Sequence, residues 1–275
     1  MRLVSWDALL SGAERIESPV SLTIGVFDGL HAGHRRLIEA VRQDADRFRK
    51  ERAVPLVITF RQNPDSVFPG RAFDGDLQTF RLKLEGLDSL GIATVLAIDF
   101  SPELGKLSGK AFTAILRSNL DVRGVVIGYD FHLGNGRDTD EAALRVLWGG
   151  TEVRVSAVEP VLHEGGTVSS SRIRSAVREG RFRDAEAMLM GGYVLDLRGL
   201  APESWNGGGC LIPLARCRQV LPPAGTYDVT FLGGGCRMSG RLTIVGGNLV
   251  LETGGPGPFD SVLFSQPLKG VVQCH

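Results

Sequence analysis

The chain is 275 residues long, 43% hydrophobic and 23% charged, which gives a globular protein room for one large core or two smaller ones. Its 31 Lys and Arg balance 31 Asp and Glu, which argues against a duplex nucleic-acid binder held by bulk phosphate attraction. No apolar run nears the ~18 residues of a membrane helix, and the opening MRLVSWDALL lacks a signal-segment layout, so a cytoplasmic protein with no nucleic-acid or membrane partner is expected.

Along the chain, Val20–Val26 reads as a short apolar strand. His34–Arg52 then places Leu37, Ile38, Val41, Ala45 and Phe48 on one helical face. Pro55–Phe60 is strand-like, and Asp76–Leu90 carries Leu77, Phe80, Leu84, Leu87 and Leu90 at helical steps. Ala93–Ile98, Arg123–Gly128 and Glu152–Val158 are further β-rich runs, separated by the helical patterns Ser108–Leu120 and Asp138–Trp148. Strands alternating with helices predict a Rossmann-like, doubly wound parallel α/β sheet over residues 1–194.

Two short helical patterns follow, Ser171–Glu179 and Phe182–Met190, and then the hydrophobic period becomes two. Residues 195–275 carry 11 of the charged residues but 15 of the 36 glycines. Tyr193–Leu197, Thr226–Leu232, Arg241–Val245, Asn248–Glu252, Ser261–Ser265 and Gly270–Cys274 read as strands, punctuated by Gly233–Gly235, Gly246–Gly247 and Gly254–Pro258. A small antiparallel β-barrel or sandwich is expected there. Cys210, Cys217, Cys236 and Cys274 all fall in this part without CxxC spacing, which points to free thiols rather than a disulfide scaffold or zinc site.

The strongest chemical signal is Ser21–His34, SLTIGVFDGLHAGH: a strand, a tight Gly-rich turn and a helix start, with His31 and His34 flanking Gly33. A parallel strand ending in such a turn directs it to the carboxyl edge of the sheet, where α/β folds bind ligands. The first-turn N–H groups of the next helix favour an anion, glycines admit a close phosphate, and both imidazoles could donate to it. A metal pair or two surface histidines is the alternative, although a catalytic zinc usually needs a third protein ligand. A second signal is Val168–Arg174, VSSSRIR, where three hydroxyls could cap a helix and, joined by Arg172 and Arg174, cradle a leaving pyrophosphate.

These stretches resemble the HIGH-type nucleotidyltransferases, and among them the bacterial FAD synthetases, the bifunctional riboflavin kinase/FMN adenylyltransferases. The resemblance is carried by Gly25–His34, Thr59-Phe60, Asn63-Pro64, Val67-Phe68, Gly128–Gly134 with Arg137, Val168–Arg174 and Ala185–Tyr193. It implies transfer of AMP from ATP to FMN, giving FAD and pyrophosphate with Mg²⁺ bridging the phosphates. It implies catalytic roles for His31, His34 and Arg174, and ATP contacts by Gly25, Phe27, Asp28, Gly33, Ser170 and Ser171. Phe60, Asn63, Pro64, Asp130 and Phe131 would lie against the flavin, and Phe60 and Phe131 also read as plain core residues. The family commonly has His where this chain has Asn63, a basic residue where it has His132, and Gly where it has Thr139. A related adenylyl- or cytidylyltransferase on another phosphomonoester, or a catalytically idle flavin-nucleotide-binding protein, are the competing readings.

In the bifunctional family a riboflavin kinase barrel follows, marked by a Pro-Thr-Ala-Asn segment. Leu200–Arg218, LAPESWNGGGCLIPLARCR, has none; its nearest approach is Ile212–Arg216. Pro223–Tyr227 and Phe259–Phe264 resemble later kinase strands, and Glu252 reads as a solvated strand residue rather than a kinase base. Residues 195–275 are therefore expected to be a degenerate kinase-like barrel without kinase activity, whose protein partner the sequence leaves unnamed.

Overall fold

The alternating apolar and amphipathic runs become six parallel strands and their crossover helices. In the computed structural model, residues 1–67, 73–200, 203–204, 210–253 and 259–264 are described. The chain divides into two units, Met1–Phe73 with Lys83–Leu162, and Asp74–Leu82 with His163–His275. These units do not follow the sequence break expected at 194/195, because residues 163–194 group with the antiparallel strands.

In the first unit the order is β1 (Arg2–Ser5), α1 (Trp6–Leu10), β2 (Val20–Ile24), α2 (Ala32–Arg47), β3 (Val54–Phe60) and α3 (Phe80–Ser89). Then come β4 (Thr94–Ile98), α4 (Gly109–Asn119), β5 (Val122–Gly128), α5 (Glu141–Leu147) and β6 (Arg154–Val158). The sheet order is β1-β4-β3-β2-β5-β6, with every neighbouring pair parallel. All residues of β2 and β4 are buried, as strands covered on both faces must be. One core packs Leu22, Ile58, Leu96 and Ile127 with Phe112 and Leu116 of α4. The other packs Val57, Val95 and Val126 with Leu37, Ile38 and Val41 of α2 and Leu87 of α3. The strand order reverses direction between β2 and β5, and such a reversal opens a crevice at the carboxyl ends of the strands.

The buried carboxylate of Asp44, on α2, accepts a 2.9 Å hydrogen bond from Ser21 Oγ on β2. This fixes the helix against the strand it follows. The helix ends five residues earlier than the periodicity suggests: after the Phe48 cap a single 3₁₀ turn runs to Glu51, and Arg52 turns left-handed. The edge strand β1 and short α1, of four and five residues, are too brief to register as a periodic signal.

The second unit contains β7 (Leu162–His163) and β8 (Gly166–Thr167), then α6 (Ser170–Arg178), α7 (Phe182–Leu189), β9 (Tyr193–Asp196) and β10 (Glu203–Ser204). β11 (Cys210–Pro213), β12 (Gly225–Gly233), β13 (Cys236–Val245), β14 (Asn248–Thr253) and β15 (Ser261–Phe264) complete it. Seven of these strands form an antiparallel sheet in the order β10-β11-β14-β13-β12-β15-β9, curled as a half-barrel. Phe182 of α7 stacks on Phe264 at 5.1 Å, and Phe231, Leu242, Leu249 and Val262 are buried.

Residues 76–79, expected to begin a helix, are instead held outside it. Asp76 pairs with Gln219, and Gln219 Nε2 donates to the carbonyls of Leu77 (3.1 Å) and Val194 (2.9 Å). Long-range pairing overrides the local helical period here. The expected Gly270–Cys274 strand, the Gly254–Pro258 turn, Phe68 and part of Leu200–Arg218 lie outside the described residues.

Candidate active site

Four loops leave the carboxyl ends of β2, β3, β4 and β5 in the first unit. The loop after β2 is the tightest. Phe27 (φ 52°) and Leu30 (φ 40°) both adopt the left-handed region, which costs a residue with a β-carbon about 1–3 kcal/mol each. The Phe27 ring folds back and is fully buried, so that a β-carbon at Gly25 would lie 3.1 Å from it. Asp28 is buried as well.

The loop delivers the chain to α2 with His31 as its N-cap. His31 Nδ1 accepts the N–H of His34 at 3.3 Å, and Arg35 N–H donates to the His31 carbonyl at 2.9 Å. The N–H groups of Ala32 and Gly33 have no protein acceptor among the described residues. The first turn of α2 contains no acidic residue to answer the positive end of the helix dipole. Its geometry suits an incoming anion.

The two imidazoles do not stand side by side. They stack with centroids 3.7 Å apart, and the edge of Phe27 tilts against His34 at 5.1 Å. With Nδ1 engaged in the cap, His31 has only Nε2 left to donate. His34 Nδ1 is enclosed with no hydrogen-bond partner. Burial lowers the His31 pKa to about 4, and burial, His31 and the Lys83 ammonium hold His34 well below its ordinary value. Both rings are neutral at pH 7.

Beside this turn lies a cavity of about 630 Å³. Every one of the four loops contributes to its wall: Val26 after β2, Asn63 and Pro64 after β3, Leu104 after β4, Asp130 and His132 after β5. Phe60, the last residue of β3, also lines it and packs edge-on against Phe100 at 5.6 Å. Asn63 Oδ1 caps the following 3₁₀ turn by accepting the Asp65 N–H at 3.1 Å. Of the five residues expected against the flavin, Phe60, Asn63, Pro64 and Asp130 line the cavity, whereas Phe131 packs against the hydrophobic core.

The β5 loop is closed by Leu133 and Thr139, whose backbones exchange hydrogen bonds of 2.8 and 3.0 Å. Asp138 accepts from Gly109 N–H at 3.0 Å and from Thr139 Oγ1 at 2.9 Å. Thr139 Oγ1 would lie 2.1 Å from a β-carbon at Gly109, so the threonine fits because its neighbour has none. His132 Nδ1 lies 2.9 Å from both the Asp130 carbonyl and Arg137 Nη2; in the tautomer with Nδ1–H it donates to the carbonyl, and in the other it accepts from the guanidinium.

In the second unit Ser169 caps α6 by accepting the Arg172 N–H at 3.3 Å, with Ser170 and Ser171 in the first turn. The expectation that Arg172 joins an anion cradle is corrected. Its guanidinium donates to the carbonyls of His163 (3.2 Å), Gly166 (2.7 Å) and Thr167 (2.9 Å), clamping the β7–β8 hairpin. Arg174 Nε donates to the Gly75 carbonyl at 2.8 Å.

Lys83 is the residue that the sequence reading missed. It is 5% exposed, and its Nζ donates to the carbonyls of Val26 (2.7 Å) and Phe60 (3.0 Å), with Thr59 Oγ1 at 3.4 Å. The available signal was a lysine set into the apolar stripe of a helix, between Phe80 and Leu87.

Residues 13–172 match the family model described as FAD synthetase. The bifunctional riboflavin kinase/FMN adenylyltransferase of Escherichia coli K12 is 28% identical over 219 residues, covering 77% of this chain and 68% of that protein. The FAD synthetase of Listeria monocytogenes is 29% identical over 209 residues, covering 75% of this chain and 79% of its own. A crystal structure of a Streptococcus pneumoniae protein named macrolide-efflux protein superposes with TM-score 0.79 at 19% identity, covering 96% of this chain and 90% of that one, which is a likeness of fold.

Proposed function

The chain belongs to the FAD synthetase family, and on that premise we propose that it transfers AMP from ATP to FMN, giving FAD and pyrophosphate. One observation carries this reading. An anion-accepting turn and a cavity of about 630 Å³ share one sheet edge, with Val26 common to the two. The volume falls within the roughly 300–1,000 Å³ of small-molecule sites.

The attacking oxygen belongs to the FMN phosphate, a monoester whose second pKa is about 6, so it is already ionised and needs no general base. It forms a bond to the α-phosphorus of ATP while the bond to the β-side bridging oxygen breaks and pyrophosphate leaves. The protein aligns two polyanions and stabilises the charge that develops. We assign His31 Nε2–H, the His34 ring and the Ala32 and Gly33 N–H groups to the ATP phosphates, with Gly25, Phe27 and Asp28 shaping that pocket. Neutral imidazoles serve as donors, since neither has a proton to lose at pH 7 except the one it donates. Ser170, Ser171 and Arg174 are assigned to the leaving pyrophosphate on the family resemblance. Phe60, Asn63, Pro64 and Asp130 are assigned to the flavin.

Mg²⁺ would neutralise part of the triphosphate charge. Among the described residues the one cluster of His, Cys, Asp and Glu ligand atoms is His163, Glu164 and Asp184 in the second unit, so the first unit offers no protein cage for the ion. Mg²⁺ commonly takes one or two carboxylates and the substrate phosphates, and no step above depends on it.

We also propose that the chain has no riboflavin kinase activity, because residues 195–275 lack the Pro-Thr-Ala-Asn segment. A cytoplasmic setting, where ATP and FMN are available, fits this reading. Among the described residues no helix is long and apolar enough to cross a membrane.

The test is mass spectrometry of products. FMN, ATP and Mg²⁺ should give FAD; binding of FMN without turnover would make the protein a flavin sensor instead. Riboflavin and ATP should give no FMN, and its formation would overturn the kinase-deficient reading. Arg174→Ala should slow FAD formation in the intact protein, and an unchanged rate would remove that residue from the scheme.

A further inference from the structure

Burying an ammonium is costly unless carbonyls or carboxylates replace its water. A hydrophobic side chain at the position of Lys83, on the inner stripe of α3, would fill the core at no such cost. The amine instead reaches two backbone carbonyls, that of Phe60 at the end of β3 and that of Val26, two residues past the end of β2. Val26 O accepts from both Lys83 Nζ at 2.7 Å and Thr59 Oγ1 at 3.1 Å, and the next residue is the left-handed Phe27. Phe60 O accepts from Lys83 Nζ at 3.0 Å, three residues before Asn63. Val26 and Phe60 both line the cavity.

We propose that Lys83 is a positioning residue for adenylyl transfer: one ammonium orients the Val26 peptide in the loop after β2 and the last peptide of β3, and so fixes the phosphate turn and the flavin wall in a single geometry. The inference rests on the FMN adenylyltransferase reading. Rotation of the Val26 peptide would release the Phe27 turn and with it the His31 cap. Rotation of the Phe60 peptide would displace Asn63 and Pro64. Either movement spoils the alignment of two substrates, where a displacement of about 1 Å can cost on the order of 10²-fold in rate. The charge has a second consequence, since Lys83 helps keep His34 unprotonated.

The experiment compares wild type, Lys83→Met and Lys83→Arg in steady-state FAD formation, with FMN and ATP varied separately and folded fraction checked by circular dichroism. Wild type making no FAD would overturn the underlying functional reading and leaves Lys83 out of account. With wild type active, Lys83→Met should raise KM for FMN and KM for ATP together by about ten-fold and lower kcat/KM by about 10²-fold. A lysine that only supports the fold would lower the melting temperature and the active fraction while leaving both KM values as they were, and that result overturns the proposal. Should Lys83→Met not fold, Lys83→Arg keeps the charge and donors but misplaces them. It should raise both KM values in folded protein, and wild-type KM values in that variant would equally overturn the assignment.

Discussion

His31 offers a direct measurement of how the phosphate turn is built. Burial lowers its pKa from 6.5 to about 4. The folded-state value is depressed, so the neutral ring stabilises the fold fully above pH 6.5, and that stabilisation is lost as pH falls towards 4. A shift of this size, at 1.36 kcal/mol per unit, corresponds to about 3 kcal/mol in total, of which about 2 kcal/mol is gone by pH 5. His31→Asn isolates the effect, because asparagine is a preferred N-cap that can still accept the His34 N–H and does not titrate. The buried Trp6 and Trp148, both in the first unit, report its unfolding by fluorescence in urea. Between pH 8 and pH 5 wild type should lose about 2 kcal/mol more stability than the variant. The carboxylates titrate in both proteins and cancel in the difference, and His34 stays depressed in both, because burial is the first cause of its low pKa. Parallel losses would mean that His31 charges freely in the folded chain, and the enclosed, neutral ring described above would be refuted.

Three further outcomes follow from the same geometry. His34→Ala should reduce the rate of FAD formation by on the order of 10²–10³, the cost of one transition-state donor, and a near-normal kcat would remove the ring from the chemistry. Gly109→Ala should destabilise the chain by about 1–3 kcal/mol and weaken FMN binding, as an overpacked contact with Thr139 does, and Thr139→Gly in the same chain should restore both; fluorescence titration with FMN checks this. Burial raises the Cys217 thiol to about 11, so alkylation at pH 8 should label the exposed Cys210 and Cys236 well before Cys217, as peptide mass mapping would read.

The parts of the site legible in the sequence are those that neighbouring residues determine. Strand β2, its Gly-rich turn and the start of α2 lie within one short stretch, so hydrophobic period, glycine placement and paired histidines all point to the same local structure. The parallel sheet and the antiparallel second unit were legible for the same reason, through periods of 3.6 and 2. Lys83 was not, because its meaning depends on the ends of β2 and β3 meeting beneath α3, which the sheet order alone brings about. Arg172 was misread as an anion ligand because the hairpin carbonyls that occupy it come from two-residue strands with no periodic signal. The start of α3 was misplaced where Gln219, far along the chain, takes residues 76–79 into its own pairing.

The three departures from the family pattern share a physical character. Asn63 makes a turn, its Oδ1 capping the Asp65 N–H as a local acceptor. Thr139 closes the β5 loop through its backbone and rests against a glycine that leaves room for it. His132 is exposed and hydrogen-bonds within its own loop, to the Asp130 carbonyl or to Arg137. Asn63 and His132 are therefore absorbed by contacts within their own loops, and Thr139 by its loop backbone and the glycine that opens α4. The wall they surround is set by strand ends, by the Phe60–Phe100 contact and by the carbonyls that Lys83 holds. A cavity whose shape comes from the sheet edge tolerates new side chains on its rim, which is why these differences change the rim and leave the turn after β2 as it is.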